Sequence, residues 1–532
     1  MDFLEYYKDK KVGVYDAKTN RWHAVSRMTI ANGCFQDVVF NEDTHSQVFD
    51  LYVLPGFIDA HCHILENPIC PDICRIANDE SNISNLLKVA SQNILTAMEA
   101  GITSIKDLGG RNFLSVDIAK RLNESLGTTR VYTSGCYFTS RGGHCSDRGG
   151  VVVDCLEEFV RGINYLRAHD IIYCKIIHGD EGFESQMLLN MVQIAHQNGM
   201  IVSCHSYTEK AAFEAVNAGV DILEHAGDYS EGLLDTIKVK NIIIVPTFVS
   251  AYDGLNSSSV LTDVDYSVLQ TWYDGEKKVI PKLFKKNIKV ALGTDGGFDG
   301  TLFNSLIREI RLIRQVFPFI SIEQLLYSAF VVTPQTIGMQ CKLGKICKDY
   351  LADFQVYDKD PITDIDNVLG NPFSVWVNGE EIYRNIDIKD VVIRNLSKND
   401  VNNIMKSINH PFFDCTFNGD FWSPNEIESW ISSTRDCCIG AFLGNKLIGY
   451  CLTHCHEEVH KVHLENIFVE KPYRNHGIGR RLIDEIVRHY QGEASLLRFV
   501  GLIDNNNVAA FLLLNKSDFI KGSTYFWMQK NV

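Results

Sequence analysis

Short apolar runs alternate with longer amphipathic stretches between residues 63 and 295. One helix-like stretch near residues 84–99 precedes the apolar run 103–107, and another near residues 186–198 precedes the run 201–205. Strands that alternate with helices predict β/α units, and therefore a parallel sheet. About eight such units predict a closed barrel, so the expected fold class is α/β.

Residue types that bind metals stand near the ends of these apolar runs. They are His61, His63, Lys175, His205, His225 and Asp295. Taken singly, each has a structural explanation, such as a core histidine, a lysine with a buried stem or an acid that caps a helix. Side chains alternate along a strand, so His61 and His63 face the same side. Since a barrel gathers the carboxyl ends of its strands at one face, the set predicts a metal site.

The segment 55–63, Pro-Gly-Phe-Ile-Asp-Ala-His-Cys-His, resembles the amidohydrolase superfamily, in particular its imidazolonepropionase-like and prolidase-like members. The resemblance covers residues 1–390 and includes the segment 343–354, which is followed by Asp360-Pro361. It implies a (β/α)8 TIM barrel over residues 61–340. It also implies a small β-sandwich formed by residues 1–60 and 341–390.

The resemblance further implies two zinc ions per chain. His61, His63 and Asp295 would bind the first ion, His205 and His225 the second, and a carbamylated Lys175 would bridge them. An unmodified lysine ammonium beside two dications is electrostatically unfavourable, which agrees with the carbamate. Imidazole and carboxylate ligands suit zinc, although manganese or cobalt could substitute. Asp295 would also act as a catalytic residue that passes a proton from water to the leaving nitrogen.

A glycine-rich loop at residues 140–144 and the rim beyond His205 are candidates for substrate binding. The loop resembles the Gly-Gly-His loop of prolidase-like members, which implies that His144 helps to bind an α-carboxylate. Tyr207 lies on the same rim. Arg141 and Arg148 are additional cations that could pair with a carboxylate. The alternative is that these residues only build the loops.

A second unit is predicted over residues 391–532. A strand at residues 464–469 enters a loop of the form Arg-x-x-Gly-x-Gly, and an amphipathic helix follows. Glycines let the backbone approach a phosphate, which would meet the N–H groups at the start of the helix. The segment resembles the GNAT family of acetyl-CoA-dependent N-acetyltransferases, which implies an α+β domain. The implied acetyl-CoA-binding residues are Ile467, Val469, Arg474, Asn475, His476, Gly477, Ile478, Gly479 and Asn507.

Two positions depart from the GNAT pattern. Leu514 stands where most members carry the tyrosine that protonates the departing thiolate, and Asp518 stands where they carry a glycine. Tyr525 or a water could replace the tyrosine, and Glu465 is the candidate catalytic base for the acceptor amine. Acetyl-CoA binding is therefore better supported than transfer. The alternative is a degenerate domain that binds acetyl-CoA without catalysis.

Composition limits the classes of partner. The chain has 532 residues, too many for one core, and a formal net charge of −15. This charge argues against nucleic acid and anionic membrane surfaces as partners, and no apolar run is long enough to span a bilayer. The acidic, aromatic start is unlike a signal peptide. The 16 scattered cysteines form no regular framework, which favours reduced thiols in the cytoplasm. The oligomeric state is left open, a homo-oligomer included.

These observations predict a bifunctional enzyme that acts on small molecules. The barrel would hydrolyse an amide C–N bond in an N-acyl amino acid or dipeptide, and the second unit would acetylate an amine. The alternative keeps the same barrel but gives it hydrolysis or deamination of a cyclic amide or heterocycle, beside a non-catalytic acetyl-CoA-binding domain.

Overall fold

A computed structural model describes most of the chain. The described residues are 1–8, 10–41, 48–68, 83–110, 112–125, 128–147, 149–179, 181–256, 266–298, 300–408, 423–491, 498–501 and 507–520. They form two compact units, Met1–Glu381 and Ile382–Val532. None of the helices in these ranges combines the length and the apolar character that a membrane span needs.

The first unit contains a seven-stranded mixed sheet built from both of its ends. Its strands are β1 (Val12–Asp16), β2 (Arg21–Ala31), β3 (Cys34–Phe40), β4 (Leu51–Pro55), β14 (Phe354–Tyr357), β15 (Ser374–Val377) and β16 (Glu380–Arg384). Their order is β16-β15-β14-β4-β1-β2-β3, with β1 parallel to β4 and β4 antiparallel to β14. Phe3, Phe35, Phe354 and Trp376 are buried in the core against it. This order describes one sheet, so the two-layered sandwich stays a prediction.

Parallel strands carry the candidate metal ligands. They are β5 (Phe57–Cys62), β6 (Ile102–Asp107), β7 (Arg130–Thr133), β8 (Tyr137–Thr139), β9 (Val151–Val152), β10 (Tyr173–Ile177), β11 (Ile201–His205), β12 (Ile222–Glu224) and β13 (Ile243–Val245). They form a three-stranded sheet, β5-β6-β7, and a six-stranded sheet, β13-β12-β11-β10-β8-β9. Every residue of β5, β6 and β10 is buried. Burial of both faces explains why β10 reads as a nearly continuous apolar run, whereas β5 and β6 bury polar residues such as Asp59, Lys106 and Asp107 as well.

Backbone hydrogen bonds through the segment at residues 291–292 connect the two parallel sheets. The amide of Ala291 donates to the carbonyl of Ile244 in β13, and the amide of Ala60 in β5 donates to the carbonyl of Leu292. On the other side, β7 pairs with β6, while β8, which follows β7 in the chain, pairs with β10. The strands thus follow the order that a barrel requires, and continuous closure of the ring stays a prediction.

Helices connect the strands. The described helices of the first unit are α1 (Phe3–Tyr6), α2 (Ile83–Glu99), α3 (Leu114–Ser125), α4 (Leu156–Ala168), α5 (Ser185–Gln197), α6 (Glu209–Ala218), α7 (Glu231–Val239), α8 (Phe248–Asn256), α9 (Tyr266–Lys285), α10 (Leu306–Val316) and α11 (Ile322–Tyr327). Local capping fixes where some of them start: Thr208 accepts from the amide of Ala211 at the start of α6. This cap ends the loop that follows His205, so the loop above β11 is short.

The second unit is an α+β domain around a five-stranded sheet. Its strands are β17 (Val391–Asn395), β18 (Ile439–Leu443), β19 (Lys446–His456), β20 (Lys461–Val469) and β21 (Arg498–Val500), and its described helices are α12 (Val401–Ile408), α13 (Pro424–Ser432), α14 (Ile478–Tyr490) and α15 (Val508–Lys516). The strands lie in chain order; the first four are antiparallel, and β20 and β21 are parallel. One core cluster includes Ile478, Leu482 and Ile486 of α14, and another includes Ile404 of α12 and Ile427 of α13.

A buried ion pair ties the mixed sheet to the parallel strands. Arg130, at the start of β7, pairs with Asp353, which directly precedes β14. One bond of the pair, from Nη2 of Arg130 to Oδ1 of Asp353, is 3.0 Å long, and the same oxygen accepts from the amide of Asn378 at 2.9 Å. The Asp353 side chain is 1% exposed, so its charge depends on these partners.

We expect Asp353→Ala to destabilise the first unit by about 3–5 kcal/mol, because it leaves the half-buried guanidinium of Arg130 without its counter-charge. Asp358→Ala is the matched control, since Asp358 is exposed just after β14; it should change stability by less than about 0.5 kcal/mol. Urea denaturation followed by tryptophan fluorescence measures both. Equal midpoints for the two variants would contradict the structural role of the pair.

Candidate functional site

The carboxyl end of β5 and the segment after residue 290 bring three metal-binding side chains together. The Nε2 atoms of His61 and His63 lie 3.2 Å and 3.3 Å from the same atom, Oδ1 of Asp295. The three ligand atoms lie within 4.8 Å of one another. The amide of Asp295 donates to the carbonyl of His61 at 2.8 Å, which holds the acid in register with the histidine. One cation can therefore contact all three side chains at once.

The other ring nitrogens of these histidines are held by neighbouring groups. Nδ1 of His61 lies 2.9 Å from Oε2 of Glu224, and Nδ1 of His63 lies 2.9 Å from the carbonyl oxygen of Gly109. A carboxylate and a carbonyl can only accept, so both Nδ1 atoms carry the proton. Each Nε2 faces Oδ1 of Asp295 and is the nitrogen that would bind a metal in place of that contact, which is the usual arrangement of histidine ligands.

His225 and His205 continue the cluster of rings. The centroid of the His225 ring lies 4.8 Å from that of His61 and 4.5 Å from that of His205. Nδ1 of His225 lies 2.8 Å from Oγ1 of Thr247, whose hydroxyl donates to the carbonyl of Pro246. The threonine oxygen therefore accepts from Nδ1 of His225, so Nε2 is the ring nitrogen that carries no proton in the neutral imidazole.

Lys175 is buried in β10 without a hydrogen-bond partner. Within the described residues, neither Nζ of Lys175 nor Nε2 of His205 has a hydrogen-bond partner. Burial lowers the pKa of Lys175 and outweighs the opposing effect of Glu224 and Asp295. An unpartnered buried polar atom is unfavourable, because the protein does not replace the hydrogen bonds it made to water. Two such nitrogens beside converging imidazoles fit a bound metal group at this position.

Glu224 is the central residue that sequence reasoning missed. Its carboxylate is fully buried, with Oε2 on His61 and Oε1 3.4 Å from Nζ of Lys106. Burial raises the pKa of Glu224, but Lys106, His61 and Lys175 more than compensate and hold it well below its ordinary value. Strand alternation would place Glu224 and His225 on opposite faces. His225 instead lies beyond the strand end with a left-handed φ of +68°, so both reach the same cluster.

Asp59 supports the cluster from the strand interior. Its Oδ1 accepts from the amide of Thr294 at 3.1 Å, and its Oδ2 accepts from the Thr294 hydroxyl at 2.6 Å. Burial raises the pKa of Asp59 to about 6, against the lowering effect of these bonds. Because Thr294 immediately precedes Asp295, Asp59 positions the carboxylate of Asp295 and does not join the cluster itself.

Of the predicted substrate residues, His144 and Tyr207 lie beside the cluster of histidines, whereas Arg141 lies away from it. His144 stacks on His205 with ring centroids 4.8 Å apart, and Tyr207 meets His205 edge-on at 5.5 Å. Arg141 does not join them: its side chain is 76% exposed, and Nε lies 3.1 Å from both carboxylate oxygens of Asp154. Arg141 therefore pairs with Asp154, and its role towards a substrate stays a prediction. Arg148 lies outside the described residues.

In the second unit, β20 leads into the predicted acetyl-CoA loop. Asn475 and Gly477 have left-handed φ angles of +68° and +78°, and Gly477 is the N-cap of α14. The guanidinium of Arg474 donates from Nε to the carbonyl of Val469 at 2.9 Å, which folds the loop back onto the strand. Nδ1 of His476 lies 3.0 Å from the carbonyl of Arg474. The first N–H groups of α14, from Ile478 onward, therefore stand at the end of this loop.

The remaining predicted residues of this unit lie nearby in the fold. A Cβ on Gly479 would lie 3.0 Å from Leu513, so glycine lets α14 approach α15. Asn507 caps α15, its Oδ1 accepting from the amide of Ala510 at 3.0 Å. Leu514 is buried in α15. Ile467 and Val469 lie in β20 opposite strand β19. Tyr525 lies outside the described residues.

Comparison with known proteins decides the family. Residues 52–382 match the Amidohydrolase family, and residues 402–519 match the Acetyltransferase (GNAT) family. The first match spans more than half of the chain. The chain belongs to the amidohydrolase family. Both predicted resemblances are confirmed, and this amidohydrolase is an enzyme that also carries a GNAT-family unit.

Relatives of this amidohydrolase are distant. Ochratoxinase from Aspergillus niger is 24% identical over 327 residues, which cover 53% of this chain and 66% of that protein. Among solved structures, an Xaa-Pro dipeptidase with bound methionine has a TM-score of 0.61 at 20% identity and covers 71% of this chain and 99% of its own. The ochratoxinase structure has a TM-score of 0.59 at 19% identity, with 70% and 96% covered. At these identities the structural likeness shows a shared fold.

We expect Glu224→Gln to weaken metal binding by the cluster about 10- to 100-fold, the usual effect of losing a carboxylate that orients a histidine ligand. Glu214→Gln is the matched control, because Glu214 pairs with another histidine of this unit, His178, at 2.9 Å. Metal content after dialysis against graded zinc concentrations measures the effect. Equal retention by both variants would contradict the role of Glu224.

Proposed function

We propose that the first unit is a binuclear, metal-dependent hydrolase that cleaves an amide C–N bond beside a carboxylate, as in an N-acyl amino acid or a dipeptide. The observation that carries this proposal is the convergence of two histidine Nε2 atoms on one oxygen of Asp295. Family membership supports hydrolysis, and a closed barrel with a flanking β-sandwich is the fold we propose around the site.

The donor set supports two metal positions. His61, His63 and Asp295 would hold one ion, His205 and His225 the other, and zinc suits this mixture of imidazole and carboxylate. Lys175 would join the two positions as a carbamate. Its neutral Nζ forms a bond to the carbon of carbon dioxide and loses one proton, so a buried amine becomes an anion. Burial favours the neutral amine that this reaction needs.

When bound, the ions supply Lewis acidity, which polarises a carbonyl and lowers the pKa of a water. The chain supplies the proton path. Asp295 is buried; burial raises its pKa, but His61, His63 and His225 hold it well below its ordinary value, so it is ionised and can accept a proton from the attacking water. From there the proton would pass to the leaving nitrogen, while Glu224 and Thr247 keep the imidazoles oriented.

Substrate recognition is proposed for the ring wall beside His205. His144 and Tyr207 both contact this histidine, so a group bound by them would lie next to the second metal position. An imidazole and a phenol can both donate to a carboxylate. The solved relative described as an Xaa-Pro dipeptidase has methionine, an amino acid, bound in its active site, which supports an α-carboxylate in the substrate. Arg141 could contribute only after releasing Asp154.

The decisive assay compares hydrolysis of N-acyl amino acids by the wild type and by Lys175→Ala. We expect the wild type to prefer free acids over the corresponding amides and Lys175→Ala to lose activity, with partial rescue by a short-chain carboxylic acid. Lys289→Ala is the matched control, since Lys289 is a half-buried lysine that bonds Gln335 instead of the cluster. Carbon-13 NMR after addition of labelled bicarbonate should show a carbamate only when Lys175 is present.

Full activity of Lys175→Ala, or an active wild type that carries fewer than two metal ions, would contradict the binuclear proposal. Equal rates on free acids and amides would instead favour the cyclic-amide or heterocycle substrates considered above.

For the second unit we propose acetyl-CoA binding and acetyl transfer to an amine. The strand, the left-handed loop and the start of α14 support a pyrophosphate site built from backbone N–H groups. Glu465 in β20 is the candidate base. The buried Leu514 offers no proton to a thiolate, which supports binding more strongly than transfer.

Isothermal titration of the full chain tests acetyl-CoA binding. Gly477→Glu should abolish it, because a charged side chain would face the phosphates at a backbone φ that favours glycine. Gly444→Glu is the matched control: Gly444 also has a left-handed φ, of +58°, and open space around its Cα, but it lies in the turn between β18 and β19. Absence of binding to the wild type, or equal binding by both variants, would refute the site. Binding without transfer to any amine would favour a non-catalytic module.

The domain limits and cell location that we propose follow from the sequence. The catalytic barrel spans residues 61–340, and the acetyltransferase unit spans residues 391–532. The cysteines in the described residues are free thiols, which supports a reducing compartment such as the cytoplasm.

A further inference from the structure

A second group of metal-binding side chains lies in the GNAT-family unit, on the β19–β20 hairpin. One ligand atom each from His456, His463 and Glu465 lies within 4.8 Å of the others. The centroids of the His456 and His463 rings are 4.8 Å apart, and the His454 ring lies 4.5 Å from that of His456. Neither the proposed hydrolysis nor acetyl-CoA binding uses these histidines.

The strand register explains why these residues meet. His454 lies opposite His463, and His456 lies opposite Lys461, so alternate residues of both strands share one face. The pairing shifts between Leu452 and Thr453, where Glu465 is the additional residue of β20. A bulge of this kind redirects a side chain, and here it brings the carboxylate towards the two imidazoles.

The imidazoles of this group lie close enough for their charge states to matter to one another, with ring centroids 4.5 Å apart for His454 and His456 and 4.8 Å apart for His456 and His463. Protonated histidines packed this closely would repel one another, whereas neutral rings expose lone pairs. A divalent cation would replace this repulsion by ligation, with one carboxylate to offset part of its charge.

The hairpin is also braced next to the cluster. Oδ2 of Asp436 lies 3.3 Å from Nδ1 of His454, and Oδ1 accepts from the amide of Cys455 at 2.8 Å. Asp436 is 4% exposed in its side chain and precedes β18, so it holds the end of β19 in place. A fixed backbone is what a site made of short-range ligands requires, because ligand distances must be met within a few tenths of an ångström.

We propose that His456, His463 and Glu465 form a divalent transition-metal site, best suited to zinc, with a fourth position open beside His454. Two imidazoles, one carboxylate and an open position make a donor set that zinc accepts in proteins. The site bridges two strands and occupies Glu465, the candidate base of the acetyl transfer proposed above. Metal binding and base catalysis by Glu465 therefore exclude one another, and zinc acts as an inhibitor of that transfer.

Zinc counting on the full-length protein tests the site. The wild type and His456→Ala/His463→Ala are stripped with a chelator, dialysed against the same free zinc concentration and measured by elemental analysis. We expect the double variant to hold one zinc fewer per chain. His460→Asn is the matched control, since His460 is an exposed histidine of the same hairpin outside the cluster, and it should retain the wild-type content. This difference does not depend on how many ions the barrel holds.

Two further variants keep the test decisive. In a His61→Ala/His63→Ala background, cobalt(II) should still give the intense visible bands of a low-coordinate site, and adding His456→Ala should lower their intensity by the contribution of one site, whatever His205 and His225 still bind. If the double hairpin variant does not fold, Glu465→Gln, which preserves shape, should lower zinc content in its place. Equal zinc content in folded wild type and folded hairpin variants would overturn the proposal, as would cobalt bands unaffected by His456→Ala.

Discussion

The buried carboxylate of Glu224 is the constraint on which the candidate metal site depends. It lies between Lys106 and His61, and its charge is balanced only because both neighbours are present. Its bond to Nδ1 fixes the ring of His61, so Nε2 points at Asp295 and not at the strand interior. The arrangement places three charged or polar side chains from different strands in one fully buried space. The rigid parallel sheet offsets the free-energy cost of burying them, because it holds them in hydrogen-bonding positions.

Around this constraint, the fold separates two tasks. Buried apolar residues of β5, β6 and β10 supply rigidity, and the candidate ligands lie within these strands, as His61 and Lys175 do, or just beyond a strand end, as His63 does. His225, Thr247 and Asp295 all have left-handed φ angles, of +68°, +58° and +60°. Such angles are unfavourable for these residue types, and they turn side chains away from the strand alternation into the shared cluster.

The GNAT-family unit uses an irregular strand in a comparable way. Regular pairing of β19 with β20 is interrupted beside Thr453, and the interruption places Glu465 among histidines. The same strand continues into the loop before α14. One strand thus connects the candidate base, the neighbouring imidazoles and the predicted acetyl-CoA loop. On α15, Leu514 stands at the position where most GNAT-family members carry a tyrosine.

Much of the outline was readable from local patterns. Apolar runs predicted the parallel strands because strands buried on both faces need continuous apolar sequence. The His-x-His spacing predicted that His61 and His63 share a side, and the glycine loop predicted a strand-to-helix turn at residues 474–479. These predictions depend on residues close together in the chain, where backbone geometry alone sets the relation between side chains.

Other features were decided only by tertiary structure. Glu224 contacts His61 across 163 positions of the chain, and Asp353 contacts Arg130 across 223. Asp154 pairs with Arg141 across the loop, and a one-residue register shift brings Glu465 to the histidines of the hairpin. The sequence by itself determined which residue types stand at the strand ends. Which of them meet depended on strand order, register and burial, because these set distances between residues that no local spacing relates.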